Sequence, residues 1–74
     1  MTENSVYKVI ELIGSSPTSW QNAVEIVIDK ASKSLSDLRI AEVKELDVKI
    51  DDKGKIEAYR AKVRLSFKYQ KEKD

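Results

Sequence analysis

The chain has 74 residues, of which 14 are basic and 13 acidic, a net charge of +1, and it contains neither cysteine nor histidine. That length holds one small domain near the limit of independent stability; the composition excludes disulfides, thiolate zinc sites and histidine-based catalysis, leaving self-association as the main stabiliser and an oxygen-ligated metal second. The balanced charge is not that of a nucleic-acid-binding domain, no apolar run approaches the roughly 20 residues of a membrane span, and "MTENSVYK" lacks the basic and apolar stretches of a secretory signal, so a cytoplasmic location is expected.

In chain order, "SVYKVIELI" (Ser5 to Ile13) predicts a first strand, rich in β-branched and aromatic residues and ending at Gly14. Both of its parities are apolar, Val6, Ile10 and Leu12 on one and Tyr7, Val9 and Ile13 on the other, so both faces are expected to be covered. In "GSSPTSW", Ser16 as cap and Pro17 at the first helical position predict a helix from Pro17 to about Leu35. Trp20, Ala23, Val24, Val27, Ile28, Ala31 and Leu35 share one broad face at 100° per residue, which puts Trp20 in the core. Ile26 lies off that stripe, as an ordinary exposed isoleucine or a subunit contact.

A second strand starts near Leu38 and runs to Ile50. Ala41 and Val43 occupy one parity; Leu46, Val48 and Ile50 occupy the other. One residue of slip reverses every side chain, so a bulge or bend is expected near Lys44–Glu45, with one half on its own helix and the other on a second subunit. Asp52-Lys53-Gly54 fits a three-residue hairpin loop with a left-handed glycine. The third strand, Ile56 to Tyr69, alternates cleanly: Tyr59, Ala61, Val63, Leu65, Phe67 and Tyr69 against Arg60, Lys62, Arg64, Ser66 and Lys68. The expected architecture is α+β, a β-α-β-β chain with a three-stranded antiparallel sheet in the order 1-3-2 under one helix. It is a single domain over residues 1–74, with a core from about 5 to 69 and a frayed tail at 70–74. Strand two is left as a long edge that nothing else in the chain covers, which points to neighbouring copies.

The chemical motifs are few. "GSSPTS" is too short for a phosphate loop and reads as a capped helix start. "DDKGK" lacks calcium-loop spacing and reads as a turn. The basic ladder Arg60, Lys62, Arg64 and Lys68 lies opposite the aromatic parity, against base stacking; it is expected to pair with Glu42, Glu45 or Asp47 or to line a subunit interface. No carboxylate pair stands out as acid and base, so no enzyme is expected.

The element order, the length and the strings "YKVIELIGSSPTSW" (Tyr7 to Trp20), "IAEV" (Ile40 to Val43) and "AYRAKVRLSF" (Ala58 to Phe67) together resemble the dodecins. These are small proteins that assemble into hollow, roughly spherical dodecamers, so the resemblance implies a homododecamer. It also implies flavin binding (FMN, riboflavin or FAD), with a tryptophan at the position of Ile40 stacking on the ring and a glutamine at the position of Arg60 bonding its edge. Isoleucine offers no aromatic face, and arginine cannot act as both donor and acceptor. With Ile40 and Arg60, the chain is more similar to a calcium-binding branch. Glu42, Glu45 and Asp47 are the candidate calcium ligands, multiplied at a symmetry axis, while Ile40, Arg60 and Glu45 mark the flavin-site equivalents. The expected function is oligomeric binding or sequestration of a small ligand. A cation-storage shell and a structural assembly without a dedicated ligand are the alternatives.

Overall fold

A computed structural model describes residues 6–68. Four elements follow the expected order: β1 (Tyr7–Ser16), α1 (Trp20–Ser34), β2 (Leu38–Ile50) and β3 (Ile56–Lys68). β3 lies between β1 and β2, antiparallel to both. The expected start of the first strand at Ser5, the contribution of Tyr69 and the tail at 70–74 lie outside the described residues.

The first junction differs from the sequence expectation. β1 runs on through Gly14 and Ser15 to Ser16, which pairs with Tyr59, and the helix starts at Trp20 rather than Pro17. Ser16 is fully buried. Its Oγ accepts from the amides of Thr18 (3.0 Å) and Ser19 (3.4 Å) and donates to Asn22 Oδ1 (2.7 Å). That local turn competes with helix over residues 17–19. Ser19 is the cap instead: its backbone is extended, and its Oγ accepts from the Asn22 amide at 3.0 Å.

Strand alternation then sorts the side chains. Ala61, Val63 and Leu65 of β3 meet Ala23, Val27 and Ala31 of α1, and these six form the buried apolar cluster. Half of them are alanines, so helix and sheet approach closely. Ile10, Val24, Leu35 and Leu38 pack around the cluster, and Ile26 is partly buried. The other face of the sheet, away from α1, carries Arg60, Lys62, Arg64 and Ser66 of β3 with Tyr7, Val9, Glu11 and Ile13 of β1 opposite. Tyr7, Val9 and Ile13 are exposed there, so a single copy does not cover both faces of β1.

The parity switch in β2 is a bulge at Lys44, where Val43 pairs with Val63 and Glu45 with Lys62. Its consequence corrects the expectation that the two halves face opposite ways. Ala41 and Val43 oppose Leu65 and Val63, and Leu46 and Val48 oppose Ala61 and Tyr59, so both halves point to the helix side. Lys44 is the extra residue that switches the parity in the sequence, and holding it in a bulge keeps the two halves in phase. The helix nevertheless leans over β1 and β3 and reaches β2 least. Val43 and Leu46 stay about half exposed, at 46% and 50%.

The hairpin closes as expected. Gly54 has φ 78°, its amide donates to Asp51 O at 3.1 Å, and the Asp51 carboxylate accepts from the Lys53 and Lys55 amides. The ribbon carries the molecule to 57 × 21 × 15 Å, with a radius of gyration of 15.7 Å. A compact chain of this length has about 11 Å. A thin core and an extended shape leave much apolar surface exposed in the single copy.

Candidate functional site

The residues singled out from the sequence all lie on the sheet face opposite the helix. Register places Ile40 across from Ser66, Glu42 from Arg64, Glu45 from Lys62 and Asp47 from Arg60. At about 3.3 Å per residue, the six β3 positions between the Ile40 and Arg60 rows span about 20 Å. The two flavin-site equivalents therefore share a face but do not meet within one copy. Ile40 is 56% exposed.

Arg60 is committed. Its Nε and Nη2 donate to the two carboxylate oxygens of Asp47 at 2.8 and 3.0 Å, a bidentate pair. That hydrogen bond is the main reason Asp47 is held below its ordinary 3.8 and Arg60 is raised. Arg64 turns the other way, donating through Nε (3.2 Å) and Nη2 (2.8 Å) to Glu11 Oε2 on β1, and so holds Glu11 below its ordinary 4.5. Lys62 Nζ lies 3.5 Å from Glu45, and Lys44 Nζ lies 3.6 Å from Glu42. Arg60, Lys62 and Arg64 are thus paired with acids of both flanking strands. Glu11 escaped the sequence reading because its partner depends on the β1 register; the odd position of an acid in an apolar strand was the available signal.

The two lowered carboxylates set an acid limit. Each favours the folded state while ionised, because its folded value lies below the unfolded one. That contribution is complete above about pH 5 and is lost as pH falls through the lowered values. The melting temperature is expected to be flat from neutral pH to about 5 and to fall below about 4. Arg60→Gln should shallow that fall in thermal melts against pH; an identical acid slope in the variant would remove the pair from the account.

Trp20 is not in the core. It is 39% exposed, its Nε1 donates to the Asp47 carbonyl oxygen at 3.0 Å, and its ring meets Tyr59 edge-on at 5.1 Å. It tethers the first turn of the helix to β2 beside the Arg60–Asp47 pair. The "GSSPTS" amides are occupied by Ser16 and Ser19, in keeping with a helix entry rather than an anion cradle.

Neither expected ligand finds a finished site in one copy. An isoalloxazine ring has no aromatic face at Ile40 and no free edge donor at Arg60. Among the described residues, no three of His, Cys, Asp and Glu converge to hold a metal. Glu42, Glu45 and Asp47 stand in successive outward-facing rows about 7 Å apart, each beside a cation.

Residues 6–70 match the family model for Dodecin. The chain is 50% identical over 64 residues to the calcium dodecin of Mycobacterium tuberculosis, covering 86% of this chain and 89% of that one. A crystal structure of calcium dodecin from that organism, described as calcium chelating with a novel calcium-binding site, superposes with a TM-score of 0.80 at 46% identity over 95% of this chain and 99% of the other. Dodecins from Streptomyces coelicolor and Streptomyces davaonensis superpose at 0.88 and 0.85, both at 28% identity, covering 96% and 93% of this chain and the whole of theirs.

Proposed function

The chain belongs to the dodecin family, and from that premise we propose that it is a non-enzymatic shell of twelve copies that binds a small ligand at sites shared between subunits. The ligand is a divalent cation, calcium first, rather than a flavin. The observation that carries this reading is the bidentate Arg60–Asp47 clasp, which consumes the edge group a flavin would need while Ile40 withholds the stacking face. Hard cations need several oxygen ligands. Glu42 and Glu45 are exposed and held only by long lysine contacts, so they are free to turn toward carboxylates of a neighbouring copy. The relative named calcium dodecin supports the same choice.

Calcium at a hundredfold over its dissociation constant is expected to stabilise the assembly by about 2.7 kcal/mol per site. Glu42→Gln and Glu45→Gln should each reduce the shift, read in melts with and without chelator. FMN and riboflavin fluorescence should remain unquenched. Quenching without a calcium effect would replace the cation by flavin, and silence toward both would leave an assembly without a dedicated ligand.

A further inference from the structure

Resting on the cation reading above, we propose that Glu11 of β1 is a positioning residue for the cation site: it draws Arg64 away from Glu42 and leaves that carboxylate available to the cation. Arg64 is the centre of one cross-strand row. Register sets Glu11 opposite it on β1 and Glu42 opposite it on β2. Residues paired in this way project from the same face of a sheet, and each strand lies about 4.8 Å from the next. One guanidinium therefore has a carboxylate on either side. It takes Glu11, donating through Nε and Nη2 to Oε2 at 3.2 and 2.8 Å. Glu42 is left with Lys44 of its own strand, whose Nζ stands off at 3.6 Å.

The two neighbouring rows supply the contrast. Opposite Arg60 and Lys62, β1 offers Ser15 and Ile13, neither of them acidic. Those two cations go to β2, to Asp47 and Glu45. Of these three rows, only that of Arg64 has an acid on β1, and only there does the β3 cation turn away from β2. The turn matters for a hard cation. A guanidinium on Glu42 would take the carboxylate oxygens that calcium needs and offset the charge that attracts it. Arg64 and Glu11 are 41% and 43% exposed, so the guanidinium can change partner by rotating its own side chain between rotamers, with no movement of the strands.

Calorimetric titration of calcium into the full chain tests this. Glu11→Gln should weaken binding about two- to fivefold, the scale of one exposed ion pair. Glu11→Asp, which keeps the charge, should hold most of the affinity. In an Arg64→Met background the same Glu11→Gln change should do nothing, because no guanidinium remains to cross to Glu42. In a Glu42→Gln background it should also do nothing, because the carboxylate that Arg64 would capture is gone. A loss that persists in either background belongs to the general field of Glu11 or to the fold, and overturns the positioning role. An unchanged affinity for Glu11→Gln overturns it as well and leaves the cation reading standing. Wild-type protein that takes up no calcium overturns both. A second readout needs no metal. In melts with chelator, Glu11→Gln and Glu42→Gln should each lower the midpoint little, and together by more than their sum, since only the double variant leaves Arg64 without an acid in its row. Strictly additive shifts would mean that Arg64 does not exchange partners, and would overturn the proposal.

Discussion

Gly14→Ala is expected to destabilise the protein by about 2–3 kcal/mol, lowering the melting midpoint by about 10–20 °C. Gly14 lies on β1 opposite Ala61, under the helix. A Cβ at this position would overlap the Ala23 carbonyl oxygen and come within 2.5 Å of a Val27 methyl carbon. The first obstacle is helix backbone, which cannot rotate aside as a side chain would. The helix must lift, and lifting it opens the small cluster of Ala23, Val27, Ala31, Ala61, Val63 and Leu65. The neighbouring exposed Ser15→Ala should change stability by no more than about 0.5 kcal/mol. Both are read by thermal melts at one protein concentration, since assembly couples stability to concentration. An unchanged midpoint for Gly14→Ala would mean that helix and sheet sit farther apart than described.

Ile40→Trp combined with Arg60→Gln is expected to create or strengthen flavin binding. The first substitution supplies an aromatic face, and the second replaces a donor-only group with an amide that both donates and accepts. It also dissolves the clasp that holds Arg60 on Asp47. Ring stacking contributes about 0.5–1.5 kcal/mol per pair beyond area burial. With the edge hydrogen bonds, that places the gain in affinity on the order of tenfold or more. Titration of FMN fluorescence measures it. Because the Ile40 and Arg60 rows are about 20 Å apart in one copy, binding should appear only in assembled protein. No quenching by an intact assembly would show that the pocket differs beyond these two positions.

The alternation of β3 was legible because a central strand sees helix on one side and charge on the other, and the strand order followed from it. The hairpin loop was legible for a similar reason, since Gly54 has little other use. Two features were not. Ser16-Pro17 has the composition of a helix start, but pairing with Tyr59 and the hydroxyl's bond to Asn22 hold Ser16 in the sheet, and only the folded register reveals that competition. The parity switch of β2 announced a bulge but not its effect. Two halves on opposite faces and two halves brought into phase leave the same trace in a sequence. The candidate site was legible as residue types and not as an arrangement. Arg64 has acids on both neighbouring strands, Glu11 and Glu42, and it chose the one that the sequence reading had not considered.

The bulge at Lys44 has a geometric meaning as well. Val43, Glu45, Leu46 and Asp47 would alternate in phase if Lys44 were not there. The extra residue is therefore unnecessary for sorting the faces. What it adds is twist and bend in the bulged strand, and β2 has further register breaks at Leu38/Ile40 and Lys49/Ile50. A flat tile covers a plane; a tile with fixed curvature covers a sphere of one radius. The three irregularities thus set the twist and bend of the β2–β3 ribbon, which a flat pairing of the same strands would lack.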